Sequence, residues 1–87
     1  MKNFNRLIIA LVLSFFTSIA VAKAININTA SAEEIATAMN GVGMSKANSI
    51  VSDRKQNGEF KTVQDLSRVK GIGTVTIDKN RENISVK

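Results

Sequence analysis

Gly41-Val42-Gly43 and Gly71-Ile72-Gly73 hold four of the chain's five glycines and stand 30 residues apart. A small apolar residue between two glycines lets the backbone turn tightly while one side chain points into a core, and the bare backbone can approach another molecule closely. Where a helix starts at the second glycine, its first N–H groups have no partner within the helix. The positive end of the helix dipole faces the same spot, so the two effects together suit a phosphate. Two such turns at a fixed separation point to a double grip on one polyanion, with nucleic acid as the candidate. The candidate donors are backbone N–H groups around Gly41, Gly43 and Ser45, and around Gly71, Gly73 and Val75. Lys46 and Lys70 add charge, and Ser45, Thr74 and Thr76 add hydroxyls. Contacts of this kind position a protein on a duplex without reading a base. The plain alternative makes each turn an ordinary helix connector. Repetition with flanking lysines favours the phosphate reading.

The elements that must position these turns are short helices. Ser31-x-x-Glu34 is a capping box that opens a helix running to about residue 39, with Ile35 and Met39 on its inner face. Thr62-x-x-Asp65 repeats the device before Leu66 and Val69. The longest helix is predicted over residues 44–57, with Ala47, Ile50 and Val51 as its apolar stripe and Gly58 just past its end. A last helix is predicted over 74–83, with Ile77 and Ile84 seven residues apart. Ile25-Asn26-Ile27 is the one segment that could be extended. The plan is helix, tight hairpin, helix, twice over, with Phe60 between the units. Met39 and Met44 read as core fillers. Arg54 and Lys55 read as answering a helix C-terminus in preference to a nucleic acid.

What precedes this domain bears on where it works. Lys2 and Arg6 lead into the apolar run of residues 7–16, which fades into Ala20-Val21-Ala22 and the overlapping Ala22-Lys23-Ala24. A basic start, an apolar middle and a small-x-small end read as a secretory signal peptide over residues 1–24, cut after Ala22 or Ala24. The alternative is a retained membrane anchor, but the uncharged stretch of 16 residues falls short of the roughly 20 that a spanning helix needs. The remaining residues, 25–87, make one small domain with no cysteine, held by packing alone. From Lys23 onward seven Lys and three Arg face seven acids, a net charge of +3 against +5 for the whole chain. That balance is too mild to establish nucleic-acid binding, so the argument rests on where the charges lie.

The inventory argues against catalysis. The chain has no His and no Cys to serve as nucleophile, base or soft metal ligand. Glu33 and Glu34 are adjacent and so diverge on a helix, unable to work as an acid–base pair. No catalytic residue, metal, cofactor or small-molecule substrate is expected. Phe60 is the one aromatic after the leader. Binders of single strands commonly offer several aromatic faces for stacking, so double-stranded DNA is the better match and Phe60 reads as a core anchor.

Residues 25–87 resemble the tandem helix-hairpin-helix domain of the ComEA family, exported DNA-binding proteins of natural competence. The matching marks are Asn26-x-Asn28-Thr29-Ala30, the first Gly-x-Gly with Lys46 just after it, and Arg54-Lys55-x-Asn57-Gly58-x-Phe60. They continue through Thr62-Val63-x-Asp65-Leu66 and Val69-Lys70-Gly71-Ile72-Gly73. The resemblance implies a compact all-α fold of two pseudo-symmetric hairpins. It also implies binding to duplex DNA without sequence preference, a periplasmic location, and as partners a pilus or secretion-type machine with an inner-membrane DNA channel. Asn40 and Met44 stand where the family commonly has proline, so the first loop is expected to rely on its glycines alone. Thr74-Val75-Thr76 replaces a stretch that often carries a basic residue, and Asn80 one that is often apolar. A rival reading makes the hairpins an interaction module that packs against another protein of a type II secretion or pilus-like apparatus. An intracellular DNA-repair accessory is a third, against which the signal peptide argues.

Overall fold

The computed structural model describes residues 24–87. The signal peptide read over residues 1–24 therefore lies, but for Ala24, outside the described residues. In chain order the elements are β1 (Ile25–Asn26), α1 (Ala32–Ala38), α2 (Met44–Asn57), a 3-10 helix η1 (Val63–Arg68), α3 (Thr74–Lys79) and β2 (Ile84–Ser85). The helical architecture is as expected, with one addition. β1 and β2 pair in parallel, Ile25 opposite Ile84 and Asn26 opposite Ser85, and join the two ends of the domain.

Both capping boxes form. Ser31 Oγ accepts from Glu34 N–H while the Glu34 carboxylate accepts from Ser31 N–H. Thr62 and Asp65 make the same reciprocal pair. The second capped segment is a 3-10 helix, and the sequence shows why. Met39 stands eight positions after Ser31, but the equivalent Val69 only seven after Thr62. With one residue fewer, the tighter winding brings η1 to the same place in the hairpin.

The core is continuous through both units. Ile27, Ile35, Met39, Ala47, Ile50, Phe60, Leu66 and Ile77 are each almost fully buried. Phe60 is thus the core anchor the sequence implied. Its backbone N–H donates to Asn28 Oδ1 at 2.7 Å, and its carbonyl accepts from Asn28 Nδ2 at 2.9 Å. Asn28 also donates to the Val86 carbonyl at 3.0 Å, so one amide side chain ties the start, middle and end of the domain.

Three local expectations are corrected. Met44 is 44% exposed and is no core filler; it is the first residue of α2, where the chain emerges from its hairpin. Arg54 does not cap its own helix: one guanidinium nitrogen donates to the Ile27 carbonyl at 2.9 Å and the Ala30 carbonyl at 2.7 Å, bracing the turn before α1. The last helix stops at Lys79, and Ile84 belongs to β2. Asn80, where the family is often apolar, is fully buried and fully paired.

Candidate nucleic-acid interface

The two glycine turns have the same conformation. Gly41 and Gly71 lie in the left-handed region, at φ +80° and +92°, where any other residue would be strained. Gly43 and Gly73 are extended and serve as the N-caps of α2 and α3. Neither helix start has a side-chain cap, and neither has an acidic residue in its first turn. Both therefore present backbone N–H groups whose polarity is not offset locally. The match runs further: from residue 41 to 50 and from 71 to 80, the sequence of exposed and buried positions is identical.

Between the glycines, Val42 and Ile72 are each 3% exposed. Their side chains anchor the turns in the core, so only their backbone is offered outward. Ser45, Thr74 and Val75 are exposed on the first turns of the helices, while Lys46 and Thr76 are half-buried. Lys70 is exposed immediately before Gly71. Among the described residues the hydroxyls of Ser45 and Thr74 have no hydrogen-bond partner, and the backbone carbonyl of Thr76 accepts from Asn80.

Lys46 lies in an unforeseen place. The sequence assigns it to the first hairpin, but its aliphatic stem crosses the second: a Cβ added at Gly71 would meet Lys46 Cε at 3.4 Å. Glycine is required at residue 71 by its positive φ; a side-chain carbon there would meet the Lys46 stem only at ordinary contact distance. The two hairpins stand side by side with a lysine from one lying over the other.

The arginines are otherwise employed. Arg68 pairs with Asp53 at 2.6 Å, donates to the Gly58 carbonyl at 2.6 Å, and stacks 4.3 Å from the centre of the Phe60 ring. Arg81 pairs with Asp78 at 2.9 Å and also donates to Gln64. Among the described residues, the charges near the glycine turns that make no ion pair are lysines, notably Lys46 and Lys70. Among the described residues no group of acidic side chains is arranged to hold a metal ion. No local pattern announces the roles of Asn28, Asn80 or the Arg68–Phe60 stack. Composition carries no signal for them, since each depends on a partner more than a dozen residues away or, for Arg68, on a ring in the preceding loop.

Comparison with known proteins agrees with this geometry. Residues 21–85 match a family model described as a helix-hairpin-helix motif. The chain is 44% identical over 63 residues to ComE operon protein 1 of Bacillus subtilis (strain 168), covering 72% of this chain and 30% of that protein. It is also 44% identical over 64 residues to an uncharacterized protein of Haemophilus influenzae, covering 74% of this chain and 57% of that one. A more partial match, 42% over 62 residues, reaches endonuclease/exonuclease/phosphatase family domain-containing protein 1 of Mus musculus, of which it covers 11%. The chain thus spans about a third of the first relative and little over half of the second. With two matching glycine turns, each between helical segments, and a family match over most of its length, the chain belongs to the helix-hairpin-helix family as a ComEA-like protein.

Proposed function

We propose that this protein is an exported, non-catalytic binder of double-stranded DNA that grips the sugar–phosphate backbone and reads no bases. It acts in the periplasm during DNA uptake, holding incoming duplex and hindering its return. The observation that carries this reading is the pair of matching, uncapped helix starts at Gly43 and Gly73, with Lys46 lying across Gly71. The similarity to ComE operon protein 1 supports the setting in competence. In that setting a pilus or secretion-type machine would deliver the DNA and an inner-membrane channel would receive it.

The test is direct binding of the protein lacking residues 1–24 to unrelated duplexes and to single strands. Each hairpin engages about two phosphates, so the log–log dependence of affinity on salt should have a slope on the order of −3 to −4. All duplex sequences should bind alike at matched salt, and single strands more weakly. A marked preference for one duplex would contradict a backbone-only grip.

A second reading rests on Met44 and Val75, which are 44% and 73% exposed at the starts of α2 and α3. Apolar side chains in those places also fit a protein partner, such as a component of a secretion or pilus-like apparatus. Absence of duplex binding by the folded protein would favour that reading.

A further inference from the structure

Asn80 supplies the first hairpin with a support that lies in the second unit. Thirty residues earlier the equivalent position is Ile50, and both side chains are fully buried. An amide at an interior site is costly unless its groups are paired. Here each is used: Oδ1 accepts from the Asn40 N–H at 2.8 Å and from Asn83 Nδ2 at 3.2 Å. Nδ2 donates to the Asn40 carbonyl at 2.9 Å and the Thr76 carbonyl at 2.8 Å. Asn40 immediately precedes Gly41, so a side chain just after α3 holds both polar backbone groups of the residue that launches the first turn. The first loop therefore does not rely on its glycines alone, as the sequence implied. The Lys46 stem from α2 in turn lies beside Gly71 of the second hairpin.

We infer that Asn80 is a positioning residue that locks the two hairpins into one preset unit, so that both engage duplex phosphates together. This inference rests on the proposed DNA-binding function and adds to it how the grip is organised. Two loops free to move would each lose freedom on binding. Once one of two fixed loops is seated, the other is held near its phosphates at high effective concentration.

The variant Asn80→Ile tests this, because isoleucine is what the first unit carries at the equivalent place. Its backbone amide exchange at Asn40, whose N–H Asn80 accepts, should be at least about tenfold faster than in the unchanged protein, with Ile72, whose N–H donates to the Val69 carbonyl, unaffected. Its affinity for random-sequence duplex should fall about tenfold, and its salt slope should shrink by about half as the first hairpin drops out. Unchanged affinity and slope in a folded variant would overturn the inference. A second measurement needs no variant. When duplex is titrated into the unchanged protein, the amide signals of Gly41, Gly43, Gly71 and Gly73 should follow one binding curve. Two separable curves would show independent hairpins and reject the lock. Failure of the unchanged protein to bind any duplex would instead remove the proposed function, and amide exchange at Asn40 would still show whether Asn80 orders the loop.

Discussion

At the scale of single residues, the glycines of one turn have different duties that substitution separates. Gly41→Ala places a side chain at φ +80° and should destabilise the fold by about 1 kcal/mol, lowering the melting temperature. Gly43 is extended, and an added Cβ there would meet nothing within 4 Å. Gly43→Ala should therefore leave melting nearly unchanged while weakening duplex binding, because its methyl stands at the helix start where a phosphate would approach. Lys46→Glu should weaken binding by about tenfold at low salt with little change in melting, since a new acid suits the first turn of a helix. Unchanged affinity in the folded variant would move the interaction-module reading ahead. Val75→Lys adds a charge at an exposed position and should strengthen binding about two- to threefold. The Asp65 carboxyl is held below its ordinary pKa, first by the Thr62 N–H and further by the Lys61 N–H, against some desolvation. A depressed folded pKa means that the stabilisation is full above the unfolded value and lost as pH falls through the folded one. Below pH about 4 the melting temperature should therefore drop more steeply in the unchanged protein than in Asp65→Asn.

At the scale of elements, the sequence was most legible where a local rule acts alone. Ser31 with Glu34, Thr62 with Asp65, and Gly58 after α2 all declare helix ends through contacts within a few residues, and all are found in those roles. The helix starts at Gly43 and Gly73 were legible for the same reason. What was not legible depends on partners distant in sequence. Arg54 looked like a helix-end charge because nothing local reveals the carbonyls of Ile27 and Ala30. The final helix ends early because Asn80 turns its amide toward Asn40 and Ile84 is drawn into pairing with Ile25. Met44 looked like core by its chemistry, but its place at the mouth of the hairpin leaves it exposed. Of the site, the glycines and their neighbours were visible, but the crossing of Lys46 to the second hairpin was not. Removing a cap tests the local part: Thr62→Ala should cost about 1 kcal/mol of stability, read from denaturant unfolding, as the start of η1 loses its side-chain acceptor.

At the scale of the whole molecule, the glycine turns and the supports behind them are made from different residue types. Lysines and bare backbone face outward at the hairpins, while Arg54, Arg68, half-buried Asn28 and buried Asn80 are consumed in holding the fold. Arg54→Ala should accordingly act on stability, by roughly 1–3 kcal/mol for a charged donor serving two carbonyls, and leave the salt slope of duplex binding unchanged. For the proposed export, mass spectrometry of the secreted product should show a start at Lys23 or Ile25; a full-length product retained in the membrane would indicate an anchor.

The pairing of Ile25 with Ile84 also sets a timetable. Closing a loop of this span costs on the order of 3–4 kcal/mol of chain entropy before any packing compensates it. The first residues of the domain thus have no sheet partner until nearly the last have emerged. A chain that grows or threads from its N-terminus must pass most of its length while still open. A fragment of residues 24–82 should accordingly lack the cooperative melting of residues 24–87, even though it carries both glycine turns. Completion of the domain, more than formation of either hairpin, is then the event that turns an extended, threadable chain into a rigid clasp.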